Sequence, residues 1–169
     1  MLEFSLPVPI TATFDVAGFE CGKAALNEFL IEQALDKQNA RLSRTYVATV
    51  ENRVVAFYTL AHVAIQQTKA PNALGRGMPR TMPAILMARF AVDLQFQGRG
   101  LGRSMFTDAI RRTWAVMESG AAPVRFFVVD AMDEDARSFY ERYNMIASPE
   151  NRMRLFLSYK TIRSAFQEG

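Results

Sequence analysis

The sequence predicts an α+β fold, a central mixed and mostly antiparallel sheet flanked by helices, on three observations. An amphipathic helix pattern comes early, two β-rich runs joined by a polar turn follow, and the second half alternates strand, helix, strand, helix, strand. At 169 residues the chain is long enough to bury a continuous core without disulfides or metal, and a single domain over 1–169 is expected. Hydrophobic residues make up 50 % and charged residues 22 %, the balance of a packed chain rather than a disordered or fibrous one.

The first helix is predicted from Lys23 to Asn39, because Leu26, Phe29, Leu30 and Ala34 fall at i, i+3, i+4 and i+8. Thr45 to Val50 and Val54 to Ala64 are rich in Val, Tyr, Phe and Thr, and Glu51-Asn52-Arg53 between them suits a hairpin. From Gln66 to Met82 the pattern fades, and Pro71, Gly75, Gly77 and Pro79 stand beside Lys69, Arg76 and Arg80. This stretch reads as a long loop, either facing substrate or merely slack at the surface. Pro83 to Val92 reads as a buried strand, followed by a glycine-rich turn. A helix from Gly100 to Ser119 follows, with Leu101, Met105, Ala109, Thr113 and Met117 on one face. Val124 to Asp130 is a further strand, and Asp133-Glu134-Asp135 opens a helix reaching Tyr143, its acids matched to the positive helix end. Met145 to Ala147 and Met153 to Tyr159 can close the sheet, ahead of a partly helical tail beyond Lys160.

Several function classes drop out. Met1 to Ile10, with Glu3 and Pro7, has neither the basic start nor the apolar stretch of a signal peptide, so a cytoplasmic protein is expected. Val54 to Ile65, the longest apolar stretch, contains Tyr58, Thr59 and His62 and is too short to cross a bilayer. The single cysteine, Cys21, cannot form an internal disulfide, and with one histidine no soft-ligand zinc cluster is expected. His62 lies in an apolar run and reads as a packed structural residue; Cys21 reads as a small buried residue rather than a nucleophile.

Net charge is +3, unevenly spread. Between Arg76 and Arg112 stand seven arginines (76, 80, 89, 99, 103, 111, 112) against Asp93 and Asp108. A basic middle suits a phosphate-bearing ligand, nucleotide cofactor or nucleic acid, or else a solvated arginine face.

The most informative stretch runs Arg89-Phe90-Ala91-Val92-Asp93-Leu94-Gln95-Phe96-Gln97-Gly98-Arg99-Gly100-Leu101-Gly102-Arg103. Glycines between a strand and a helix let the backbone approach a diphosphate, which then meets N–H groups at the helix start. The run lacks the lysine of a Walker-type loop and the early position of a dinucleotide fold.

Gln97-Gly98-Arg99-Gly100-Leu101-Gly102 resembles the pyrophosphate loop, Gln/Arg-x-x-Gly-x-Gly/Ala, of the GCN5-related N-acetyltransferases (GNAT), and Ala136 to Tyr143 is similar to their later helix. The resemblance narrows to the aminoacyl-tRNA-acetylating toxins of type II toxin–antitoxin pairs. It does so through Phe19-Glu20-Cys21-Gly22 to Leu26-Asn27-Glu28-Phe29-Leu30, Leu42 to Ala48, and Ala88 to Asp93. It implies the GNAT fold and a toxin that transfers acetyl from acetyl-CoA to the α-amino group of aminoacyl-tRNA, blocking translation. A ribbon-helix-helix antitoxin partner, a homodimer, no metal and no membrane are implied as well. It also implies site residues. Ala91 and Val92 hold the thioester carbonyl; Gln97, Gly98, Arg99, Gly100, Leu101, Gly102, Arg103 and Phe139 bind the cofactor; and Tyr140 is the general acid. Arg76, Arg80 and Arg89 are the candidates for tRNA contact.

The chemistry agrees with these residue types. Amine attack on a thioester builds charge on the carbonyl oxygen, which needs aimed N–H donors, and releases a thiolate that needs a proton. A phenol near about 10 and a thiol near about 8.5 make that transfer close to balanced. No carboxylate or histidine stands out as a base, which suits an α-amine near about 8 better than a lysine near about 10.4. On spacing alone Ala136, Phe139, Tyr140 and Tyr143 equally form a core stripe. Asn144 stands where the family usually has glycine; asparagine tolerates the left-handed conformation needed there. Two other readings stay open: a housekeeping acetyltransferase for a small amine or protein N-terminus, and a non-enzymatic CoA-binding module. The sequence leaves undecided the amino acid, the tRNA and the mode of inhibition.

Overall fold

Strand β1 (Val8–Pro9) opens the architecture of the computed structural model, which describes residues 3–167. The predicted first helix forms over 24–39 as α1 (Ala24–Glu28), a π-helical turn (Phe29–Gln33) and α2 (Ala34–Asn39). All four residues of its predicted stripe, Leu26, Phe29, Leu30 and Ala34, are buried. The hairpin follows as β2 (Arg44–Val50) and β3 (Arg53–Gln66), antiparallel, with Tyr46 opposite Tyr58. Its turn is Glu51-Asn52, with φ of 49° and 68°. Two left-handed residues give the turn the same twist as the strands it joins.

The expectation of a packed His62 fails. Toward its end β3 alternates between faces, with Ile65 buried and His62 exposed. Nor is 66–82 structureless. It holds a short 3₁₀ turn (Gln67–Lys69) and α3 (Asn72–Gly75), and the Gln67 N–H donates to the Arg80 carbonyl at 2.8 Å while its side-chain Nε2 donates to the Gly75 carbonyl at 2.8 Å. Here Pro71 and Gly77 punctuate short turns instead of marking an absence of structure.

The second half runs β4 (Thr81–Val92), α4 (Leu101–Ser119), β5 (Phe126–Asp130), α5 (Glu134–Glu141), β6 (Ile146–Ala147), β7 (Arg154–Ser158) and α6 (Tyr159–Gln167). Asp133 caps α5, its Oδ1 accepting the Ala136 N–H at 2.8 Å, and Glu134 and Asp135 fill the first turn. Asn144 has φ 62°, the left-handed conformation its sequence position requires.

The strands form one seven-stranded sheet in the order β1-β2-β3-β4-β5-β7-β6. β1–β2, β2–β3, β5–β7 and β6–β7 pair antiparallel, and β4–β5 is parallel over Ala84↔Phe126 to Met87↔Val129. The chain divides into two compact units, one of residues up to 61 with 88–109, the other of 62–87 with 110 onward. In the first, Phe57 is fully buried and meets Phe19 edge-on at 5.5 Å and Phe29 stacked at 6.2 Å. In the second, Phe126 and Phe156 meet edge-on at 5.6 Å, packed with Ile65, Met82, Ala84 and Val128.

Candidate active site

In the first unit β4 delivers a strand end, a turn and a helix start in succession. The parallel ladder between β4 and β5 stops at Met87↔Val129, yet β4 continues to Val92, so Ala91 and Val92 lie beyond the last parallel pair. Asp93 then begins a 3₁₀ turn (Leu94–Phe96), and its side chain accepts the Gln95 N–H at 3.0 Å.

Gln97, Gly98, Arg99 and Gly100 are all exposed, so the glycine turn faces outward instead of packing against the core. Gly98 and Gly100 have φ of 76° and 80°, and a Cβ at either would meet nothing within 4 Å. These glycines are therefore required by backbone conformation and not by crowding. Gly102 is half-buried, where a Cβ would make ordinary contact with Val92 Cγ2 at 3.7 Å.

α4 follows directly, the Ser104 N–H donating to the Gly100 carbonyl at 3.1 Å. Its first turn holds no acid, so the positive end of a 19-residue helix is left for an anion. The Gln97 side chain folds back, Nε2 donating to the Val92 carbonyl at 2.9 Å, which ties the turn to the end of β4. The Arg99 guanidinium lies 5.5 Å from the Phe96 ring centroid, Arg103 is exposed, and Leu101 is buried. Arg89 is half-buried, with its guanidinium 4.4 Å over the Phe29 ring centroid.

In the second unit Tyr140 lies on α5 and is 7 % exposed. Phe139 meets it edge-on at 5.5 Å and meets Tyr143 at 5.5 Å, which is the aromatic cluster the stripe predicts. The helix is held by an Arg137–Glu141 ion pair along its own length and by Arg152–Glu134 from the segment before β7. At the end of β5 the Asp130 carboxylate takes Arg154 Nε and Nη2, both at 2.7 Å. Arg76 and Arg80 are exposed between α3 and β4. Cys21 is buried, its thiol pushed up chiefly by loss of water, as a structural cysteine should be.

Burial, and then the negative charges of Asp130 and Asp133, push the Tyr140 phenol well above its ordinary value. A group whose folded pKa is raised favours the fold below its unfolded pKa, and that contribution is lost as pH climbs past about 10. Tyrosinate absorbance titrated near pH 10 should accordingly be the same for the unchanged chain and Tyr140→Phe, with the missing phenol appearing only on unfolding. A titration step lost near pH 10 in the variant would contradict this.

Sequence reasoning missed the role of Asp93 in this architecture. The signal was present as a carboxylate placed directly after an apolar strand within an arginine-rich run, but nothing local reveals that it is 1 % exposed. Among the described residues no cluster of His, Cys, Asp and Glu could hold a metal ion, and no helix is long and apolar enough to cross a membrane.

Comparison with known proteins gives a consistent result. Residues 41–144 match the acetyltransferase (GNAT) domain. Over 164 residues the chain is 35 % identical to a tRNA-acetylating toxin of Mycobacterium tuberculosis, spanning 97 % of this chain and 98 % of that protein. Solved structures of AtaT are similar throughout. AtaT complexed with acetyl-methionyl-tRNAfMet has a TM-score of 0.88 at 26 % identity, covering 98 % of this chain and 100 % of that one. AtaTR bound with AcCoA has 0.81 at 25 %, covering 97 % and 98 %, and the AtaT–AtaR complex bound to DNA has 0.77 at 26 %, covering 98 % and 100 %.

Proposed function

The chain belongs to the GNAT acetyltransferase family, and we propose that its acceptor is the α-amino group of an aminoacyl-tRNA, so that its activity blocks translation. It is an acetyl-CoA-dependent N-acetyltransferase, with acetyl-CoA as donor. The observation that carries the choice of acceptor is the identity to a tRNA-acetylating toxin along almost the whole chain. A structural relative holding acetyl-methionyl-tRNAfMet supports it.

In this reading the exposed turn Gln97 to Gly102 and the start of α4 receive the diphosphate. Backbone N–H groups of Gly98, Arg99, Gly100, Leu101, Gly102 and Arg103 supply the donors, and the two arginines add charge. Gln97 contributes its backbone, because its side chain already holds the Val92 carbonyl. Ala91 and Val92 position the thioester carbonyl, and Phe139 lines the pantetheine path.

The neutral amine attacks the carbonyl carbon, the tetrahedral oxyanion is stabilised by N–H donors, and the C–S bond breaks to give an amide and a thiolate. The new amide nitrogen gives its proton to water. Tyr140, held protonated by burial, donates a hydrogen bond to the nascent thiolate. The raised phenol makes outright proton loss uphill toward a thiol near about 8.5, so the proton that completes CoA–SH is replenished from solvent through the phenol. Arg76, Arg80 and Arg89 are proposed to meet the tRNA backbone, together with a cytoplasmic location, an action as one acetyltransferase domain, a ribbon-helix-helix antitoxin and a homodimer. For the antitoxin, the AtaT–AtaR complex is the supporting parallel.

Incubation with labelled acetyl-CoA and total tRNA tests the reading. Label should enter charged tRNA and not deacylated tRNA, and mass analysis of the released amino acid should show an N-acetyl group. Transfer to free small amines alone would overturn the proposed acceptor.

A further inference from the structure

We propose that Asp93 is a positioning residue for the diphosphate turn, acting by clamping the early segment 19–27 and Arg53 against the residues that lead into it. The proposal rests on the reading of Gln97 to Gly102 as the diphosphate site.

A carboxylate that is 1 % exposed must be paired to be tolerated, and this one is fully engaged. Oδ2 accepts the Glu20 N–H at 3.1 Å and Arg53 Nη2 at 3.2 Å, while Oδ1 accepts the Gln95 N–H at 3.0 Å. The backbone of Asp93 is used as well: its N–H donates to the Val55 carbonyl at 2.9 Å and its carbonyl accepts the Phe96 N–H at 2.9 Å. One residue thus joins the early segment, two positions of β3 and the 3₁₀ turn.

The early segment returns the grip. Leu94 N–H donates to the Glu20 carbonyl at 2.9 Å, and Asn27 Oδ1 accepts the Cys21 N–H at 2.9 Å, fixing the segment to α1. Gly22 takes φ 89°, the left-handed conformation that turns the segment beside Leu94, where a Cβ would make only ordinary contact, 3.5 Å from Leu94 Cδ2. Arg53 covers the same turn, its guanidinium 5.9 Å from the Phe96 ring and its Nη1 donating to Gln95 Oε1 at 3.3 Å. Within the Phe19 to Leu30 motif, Cys21 and Asn27 thus hold the segment that grips the turn, while Leu26, Phe29 and Leu30 fill the core.

The turn needs such anchoring. Gly98 and Gly100 are surrounded by open space and impose no packing of their own, so the position of the turn is set from the residues before it and by the Gln97 tie to Val92. Several N–H groups must converge on one diphosphate, and displacement by a fraction of an ångström weakens all of them together.

The test compares binding of acetyl-CoA with binding of S-acetylpantetheine, which lacks the diphosphate, to the full chain and to Asp93→Asn. The amide is the same size but cannot accept from Glu20, Gln95 and the Arg53 cation together. Acetyl-CoA affinity should fall about tenfold, with S-acetylpantetheine affinity unchanged. Arg53→Gln, which leaves the carboxylate in place, should weaken acetyl-CoA about threefold in the same selective way and serves if Asp93→Asn does not fold. Equal weakening of both ligands, or of neither, overturns the proposal. If the unchanged chain itself binds the two ligands alike, it is the diphosphate reading of the turn that fails first.

Discussion

Tyr140→Phe is expected to lower kcat for acetyl transfer by about 10²–10⁴-fold, the usual contribution of a positioned acid, while acetyl-CoA affinity stays within about twofold. The substitution removes one oxygen and keeps the ring, so the edge-on contact with Phe139 survives. The expected pattern is a loss in kcat with little change in binding, which marks a group acting on the transition state alone. Single-turnover transfer together with calorimetric titration of acetyl-CoA separates the two. Full activity in the variant would return Tyr140 to the core stripe that its spacing equally suggests.

Phe57→Ala is expected to cost about 3–5 kcal/mol. Phe57 is fully buried in β3, its ring in contact with those of Phe19 and Phe29, and truncation removes both contacts and leaves a cavity. That is about a fifth or more of the stability of a typical domain, and thermal unfolding should shift down by roughly 6–20 °C. Urea or thermal denaturation followed by circular dichroism measures it. A shift below about 2 °C would mean that the first unit does not depend on this aromatic centre.

The two predictions divide along the line between what was legible in the sequence and what was not. Local patterns transferred well. The stripe Leu26, Phe29, Leu30, Ala34 is buried as its spacing requires, the polar turn at Glu51-Asn52 is left-handed, and Gly98 and Gly100 take the positive φ that a strand-to-helix turn asks of glycine. Asn144 adopts the conformation that makes it an acceptable replacement for glycine.

What escaped was set by partners distant in sequence. β1 is two residues long and exists because Val8 and Pro9 pair with Val47 and Tyr46, which no local pattern encodes. His62 sits in an apolar run, but the face it occupies depends on what covers β3, and it proved exposed. The bonds of Asp93 to Glu20 and Arg53 span 73 and 40 positions. Tyr140 was ambiguous by its nature, since a catalytic tyrosine on an amphipathic helix and a core tyrosine share one spacing, and its burial satisfies both.

A crystal structure of the chain with acetyl-CoA bound tests the central claim most directly. The account predicts the diphosphate on the N–H groups from Gly98 to Arg103, with the Tyr140 hydroxyl within hydrogen-bond reach of the thioester sulfur. A diphosphate bound elsewhere, or a phenol out of reach of the sulfur, would contradict it.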